Sequence, residues 1–408
     1  MSYTFGQNPY SYGPYGGYVF TPFPSGVGVT VELYDNTLAR KSTFQTGSGD
    51  FIGCEFTIDE SGPRDFILFF ASSQIITKKD IIKIRLFGSE DYFFTGVIRT
   101  VPVEGSTKAE YNYGGFGLND YLLRINAGPL AYVSKTLSYI LEDIIDNVIV
   151  VKTPIVKNAS KIIVPDITIA TLDINYSQIP EVVDALRKIA NSEGSYICGV
   201  DQEGEFFFKP KSENIKAVLV VGKIGNRGID DYQPEDQTEL KTKYYLLDKD
   251  GVYIATISSA EDNDIFEEKL VAPNIDNTTA QKWAQGVLAE NETITRRASI
   301  QWKIEDIDPI VLIADGTIRI ISEIPASNTT PPTPSAYGSG LYGSGLYGGG
   351  QPSGIVVDDT LQVKEVTYKM TGSDNVRTIE LGSLPVRLDE AILKVNKKLT
   401  DLQVSIGR

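Results

Sequence analysis

From Val27 onward the apolar positions come in short runs rich in β-branched and aromatic residues: GVGVTVELYD, DFIGCEFTID, RDFILFFAS, DIIKIRLFG and YFFTGVIRTVPV. Gly, Asp, Ser and Pro separate these runs at the spacing of antiparallel strands in a sandwich or barrel. The pattern predicts a first β-barrel domain over residues 27–129. The period then changes. Leu137, Ile140, Leu141, Ile144, Ile145 and Val148 recur at helical spacing, which predicts a helix with one buried face and Ser134 as its N-cap. A second helix is predicted in QIPEVVDALRKIANSEG, with Pro180 at its start, a stripe of Val182, Val183, Leu186, Ile189 and Ala190, and Gly194 as its stop. SYICGVDQEGEFFFKP then reads as a hairpin that turns over Asp201–Gly204. Together these form an α+β insertion domain over 130–212.

Strand texture returns over 213–385 in AVLVVG, LKTKYYLL, VYIATIS, ITRRASIQWKI, IVLIA, TIRIIS, IVVDDTLQVKEVTYKM and VRTIELG, interrupted by a helix around TTAQKWAQGVLAENE. This predicts a second β-barrel domain, with a hairpin turn at Asp248-Lys-Asp250-Gly251. Over 386–408, Leu388, Ile392, Val395, Leu399, Leu402 and Ile406 are spaced 4, 3, 4, 3 and 4 apart. That spacing is a heptad a/d seam, here shorter than three heptads. It predicts a coiled-coil-like helix that joins subunits, or else one that packs on its own domain. The fold class is therefore mainly β with an α+β insertion: two antiparallel β-barrel or sandwich domains, a small α+β domain and a C-terminal amphipathic helix.

Two segments lack this patterning. Residues 1–26 are Tyr, Gly and Pro with few aliphatics and read as an arm rather than a core element. Residues 326–354 form a Gly/Ser/Tyr/Pro loop within the second β domain. In YGSGLYGSGLYGGG the loop contains G-x-G-x-x-G twice, but that motif cradles a pyrophosphate only between a strand and a helix start. Here it follows Pro331-Pro-Thr-Pro334 and repeats with period five, with seven glycines in fourteen residues. The match is a by-product of the repeat, so no nucleotide site and no other cofactor is expected. Tyr10, Tyr12, Tyr15, Tyr18, Tyr337, Tyr342 and Tyr347 offer rigid rings that lose little entropy on contact, which makes both segments candidate subunit-contact arms.

Charge and composition narrow the chemistry. A formal charge of −15 opposes sequence-independent nucleic-acid binding, which depends on Lys and Arg displacing counterions. There is no histidine, so the commonest general base and metal ligand is missing and a Ser-His-Asp arrangement is impossible. Cys54 and Cys198, both in strand-like runs, read as buried reduced thiols. Asp248-Lys-Asp250-Gly251 resembles part of a calcium loop but lacks its first acid and closing Glu. Carboxylate pairs such as Glu142 with Asp146 and Glu267 with Glu268 sit on polar faces, where solvation explains them. A two-carboxylate glycosidase remains open on composition alone. No apolar run reaches the roughly 18 residues of a membrane span, and the N-terminus does not read as a signal peptide. The expectation is a product made in the cytoplasm, with no catalytic, cofactor or metal site.

Four stretches carry a resemblance: FFTGVIRTVPVEG, KTLSYILEDIIDNVI, VVDALRKIANSEGSYICGVDQEGEFFFKPKS and EVTYKMTGSDNVRTIELGSLPVRLDEAILKVNKKL. Their order, β domain, α+β insertion, second β domain and terminal helix, resembles the tail hub proteins of tailed phages, also called baseplate or tail-tip hubs, and of related contractile injection machines. The resemblance implies a structural virion protein at the tail tip, made in the host cytoplasm. It implies a homotrimer whose β domains form a pseudo-sixfold ring that meets the tail tube. The implied partners are the distal tail or tail tube protein, the tape measure protein and a tip fibre or spike. DNA would pass through an acidic channel during ejection without being held. On this reading the seam residues above carry oligomerisation, and no residue is catalytic. A receptor- or carbohydrate-binding β protein of a tail tip or surface appendage is the alternative.

Overall fold

The structure is a computed structural model. It describes residues 28–46, 49–86, 89–102, 110–221, 228–229, 235–237, 241–259, 267–291, 295–303, 314–322, 358–371 and 375–382. The N-terminal arm, the 326–354 loop, the 386–408 helix and most of IVLIA lie outside them.

The five apolar runs of the first region are strands: Val29–Tyr34, Phe51–Asp59, Gly62–Phe70, Ile81–Leu86 and Phe94–Thr100. Two further strands carry no alternating pattern. Arg40–Gln45 is an exposed edge strand beside Val29–Tyr34. Tyr111–Gly117 runs between Gly62–Phe70 and Phe94–Thr100, and its glycines replace the usual branched residues for a steric reason. A Cβ on Gly115 would lie 2.0 Å from the Val97 carbonyl oxygen, and one on Gly117 would lie 1.8 Å from that of Pro63.

Strands from the two ends of the chain complete the same sheet. Phe51–Asp59 pairs antiparallel with Asp358–Met370, which also pairs with Asn375–Gly382 and Thr317–Ser322. Thr317–Ser322 runs parallel to Ile215–Val221, and Thr295–Lys303 pairs with Asn375–Gly382. Among the described residues the result is a mainly antiparallel 14-stranded sheet. The two β regions read from the sequence share this ladder and one apolar cluster, in which Phe56 stacks on Tyr368 at 4.9 Å.

The α+β unit is built on a second apolar cluster. Its strand Leu130–Thr136 pairs with Thr168–Ile174, and the hairpin Tyr196–Val200/Glu205–Pro210 pairs at its far edge, in parallel, with Val156–Ile162. The first predicted helix is Leu137–Ile144, continued by a π turn at Ile145–Ile149. Every predicted stripe residue is buried, and the wider turn keeps Ile149 inside as well. Its cap is not Ser134, which sits inside the preceding strand with φ 51°. Thr136 is in extended conformation, and its Oγ1 accepts the Tyr139 N–H at 3.2 Å. The strand simply runs two residues further than the hydroxyl pattern suggests.

The second helix, Ile179–Ala190, starts with Pro180 in its first turn as expected. Packed on it is Asn277–Asn291, where a Cβ on Gly286 would lie 1.8 Å from the Lys188 carbonyl oxygen. That helix and the sheet Tyr253–Ser258/Lys243–Leu247/Glu267–Val271 contribute Trp283, Leu288, Tyr244 and Leu246 to the α+β core. Residues 241–259 and 267–291, read from sequence as part of the second β domain, therefore pack with the insertion. Helix Asn277–Asn291 faces helix Ile179–Ala190, and the strands Lys243–Leu247 and Tyr253–Ser258 pack on Asn277–Asn291, contacts that strand texture alone does not disclose.

Candidate functional site

Where the sheet meets the α+β unit there is a cavity of about 400 Å³. Its wall comes from the Asp59–Arg64 turn, Phe116, Leu122 and Leu123 after the first β region, the helix Ile179–Ala190, the open edge of Tyr196–Val200, and Gln362 and Lys364 on the long C-terminal strand. The turn is held on both sides. Val200 donates its N–H to the Ser61 carbonyl at 3.0 Å, and Asn119 Nδ2 donates to the same oxygen at 2.7 Å.

Ion pairs line the junction. Glu60 accepts Lys211 Nζ at 2.6 Å and Lys364 Nζ at 2.9 Å, which ties the first β region, the α+β unit and the last β strands to one carboxylate. Arg64 pairs with Glu365. Arg187 bridges Asp184 at 2.7 Å and also Glu290, so it joins the two packed helices. Burial works against the Arg187 charge, but Glu290 and Asp184 outweigh it and hold the guanidinium above its ordinary value. Asp120 accepts from Arg99 at 2.8 Å and from Arg124 at 2.7 Å. Burial pushes the Asp59 carboxyl up to about 6, against hydrogen bonds from Ser61 and the Arg64 charge.

Other features read from the sequence resolve into structural roles. The turn Asp248–Gly251 is a hairpin turn: Asp248 Oδ1 accepts the N–H groups of Asp250 at 2.9 Å and Val252 at 2.7 Å. Among the described residues, Asp201, Glu203 and Glu205 bring carboxylate oxygens within 4.8 Å of one another. The Lys161 ammonium already stands among them, at 2.5, 3.1 and 2.6 Å. Burial works against its charge, but hydrogen bonds to Asp201 and Glu205 outweigh it and hold Lys161 above the ordinary lysine value. Glu142 and Asp146 share Lys157 on the surface, and Glu267 and Glu268 pair with Lys243 and Lys241. Cys54 is buried, Cys198 half-buried, and both are free thiols. Burial pushes Cys198 up to about 12, which makes it a poor nucleophile.

The seam Leu388, Ile392, Val395, Leu399, Leu402 and Ile406 and the tyrosines at 10, 12, 15, 18, 337, 342 and 347 lie outside the described residues. The junction residues, by contrast, were not singled out from the sequence. Glu60 and Lys364 stand 304 residues apart, and Arg187 and Glu290 stand 103 apart, so no local spacing marks them. No helix among the described residues is long and apolar enough to cross a membrane.

No protein-family model and no curated protein matches the sequence. Solved structures do match the fold, tail proteins among them. A tail protein from Neisseria meningitidis MC58 superposes with a TM-score of 0.58 at 11% identity, covering 88% of this chain and 96% of its own. The 43 kDa tail protein of prophage MuSo2 from Shewanella oneidensis gives 0.55 at 12% identity, covering 86% and 98%. Prophage tail protein gp18 from Listeria monocytogenes EGD-e gives 0.53 at 11% identity, covering 92% and 100%. The fold is thus one seen in phage tail proteins.

Proposed function

We propose that the chain is a structural virion protein, the hub at the distal end of a phage tail, where it joins the tail tube to the tip. One observation carries this reading: three tail proteins, two of them from prophages, are spanned over 96%, 98% and 100% of their own length at only 11–12% identity. The likeness therefore lies in the whole architecture, not in a local motif. In this role the protein is a homotrimer. Its partners are the distal tail or tail tube protein, the tape measure protein and a tip fibre or spike. It needs no active site. The charge of −15 suits a channel wall that repels the phosphate backbone, so DNA slides through during ejection. The seam from Leu388 to Ile406 is assigned to trimer assembly, and the tyrosine-rich arms to contacts between subunits.

The test is solution mass by light scattering, on the full chain and on a version ending at Pro385. A trimer that weakens on truncation supports both the hub role and the seam assignment. An unchanged trimer keeps the hub and moves the interface into the β regions. A monomer at every accessible concentration, together with saturable binding on a glycan array, overturns the hub in favour of a receptor-binding protein.

A further inference from the structure

The cavity at the junction holds binding capacity that the ion pairs around it leave unused. Three of its carboxylates are matched by arginines: Asp184 and Glu290 by Arg187, and Asp120 by Arg99 and Arg124. At Glu60 the balance reverses. Two ammonium groups, Lys211 and Lys364, donate to one carboxylate, and the three side chains are 18%, 10% and 7% exposed. Each ammonium carries three donors and the carboxylate is shared, so N–H groups remain over. Burial pushes Lys364 down to about 7; the Glu60 charge pulls the other way and Lys211 adds to the push. Burial and a neighbouring like charge both disfavour the ammonium form.

A backbone donor borders the same space. In the hairpin Tyr196–Val200/Glu205–Pro210, Lys211 N–H donates to the Ser195 carbonyl and Asp201 N–H to that of Glu205. Odd-numbered residues thus bond across the hairpin, and even-numbered ones face the strand's open edge. On that edge Asn191 Oδ1 takes the Tyr196 N–H at 2.8 Å, and the Ser61 carbonyl takes that of Val200 at 3.0 Å. Cys198 lies between them and lines the cavity, and its N–H has no partner among the described residues. Arg64, also in the wall, has its Nε buried without a hydrogen-bond partner among the described residues.

We propose that this cavity binds a small organic carboxylate with an apolar body, the carboxylate between Lys211, Lys364 and the Cys198 N–H, the body against Phe116, Leu122, Leu123 and Val183. One carboxylate matches the N–H groups left over at Glu60. The apolar wall requires a carbon chain, and about 400 Å³ lies within the range of small-ligand sites. Such a carboxylate has two sources, a free acid or the last residue of a peptide. The proposal is independent of the tail reading.

The experiment is calorimetric titration of the full chain with octanoate, octanamide and N-acetyl-Ala-Leu. Octanoate is expected to bind at least about tenfold more tightly than the amide, a gap of about 1.4 kcal/mol. Binding of the dipeptide as well assigns the site to a chain terminus; binding of octanoate alone assigns it to a free acid. Equal binding of acid and amide, or no saturable binding of octanoate at millimolar concentration, overturns the proposal. Lys364→Met leaves Glu60 paired with Lys211 and is expected to abolish the preference for the acid. A folded Lys364→Met chain that keeps the full preference overturns it too. If that variant does not fold, the acid-to-amide ratio on the unaltered chain decides.

Discussion

The two apolar cores of this protein are assembled in opposite ways. The β core gathers residues from Val29 to Leu381, so its contacts join the ends of the chain. The α+β core takes most of its mass from 118–208, where helices with regular stripes pack on strands a few tens of residues away, and is completed by 244–288. The first core depends on long-range ladder pairing, the second on amphipathic faces. The difference shows where damage spreads. A lesion in the β core is expected to break the closure between the two ends of the chain, and a lesion in the α+β core to stay local.

The largest effect expected from a single change is that of Phe56→Ala. Phe56 is 1% exposed, stacks on Tyr368 and meets Phe94 edge-on at 5.7 Å. Its loss should cost about 3–5 kcal/mol in chemical denaturation. Hydrogen exchange should rise in both Val29–Tyr34 and Asn375–Gly382; a rise in only one of them would refute the shared core. Next comes Gly286→Ala. The new methyl meets the Lys188 carbonyl and forces the two helices apart, at about 1–3 kcal/mol. Faster exchange confined to 179–190 and 277–291 is the expected readout, and exchange across the β sheet would contradict the local character of this core.

Asp59→Asn tests the junction between the cores. The folded-state value of about 6 lies above the ordinary carboxylate value, so the native state binds the extra proton. The stability this gives is complete below pH ~4 and is lost as pH rises through 6. Asparagine keeps an oxygen to accept the Ser61 N–H at 2.8 Å and has no charge to desolvate. The variant should gain on the order of 2 kcal/mol over the native chain at pH 8 and little at pH 4. Parallel stability curves across that range would show that the buried carboxyl does not titrate there. The smallest effect distinguishes two hydroxyls. Thr136→Ala, which removes the cap, should cost about 1 kcal/mol, whereas Ser134→Ala should leave thermal stability within about 0.5 kcal/mol. The reverse order would restore Ser134 as the cap.

Much of the fold was legible because local pattern and final burial agree. Leu137, Ile140, Leu141 and Ile144, and likewise Val182, Val183, Leu186 and Ile189, recur at the period of the buried helix face they form. The turns at Asp201–Gly204 and Asp248–Gly251 declare themselves because an Asp side chain bonds its own backbone two and four residues on. The strand Tyr111–Gly117 was not legible, since its glycines are chosen by a neighbour's carbonyl rather than by strand propensity. The placement of 241–259 and 267–291 was hidden for a similar reason: strand texture says that a segment pairs, not with which core it packs.

The amino-acid sequence by itself determined the order of β, α+β and β segments, the faces of both early helices, the two Asp-Gly hairpin turns and the strongly negative charge. Each of these follows from forces that act over a few residues or from a simple sum of charges. Only the tertiary structure decided that the two β regions close into one sheet, that the helix Asn277–Asn291 belongs to the insertion, and that Lys211 and Lys364 converge on Glu60 beside a cavity. Those features rest on contacts between residues a hundred to three hundred positions apart, and over such distances a chain leaves no periodic trace of which group it will meet.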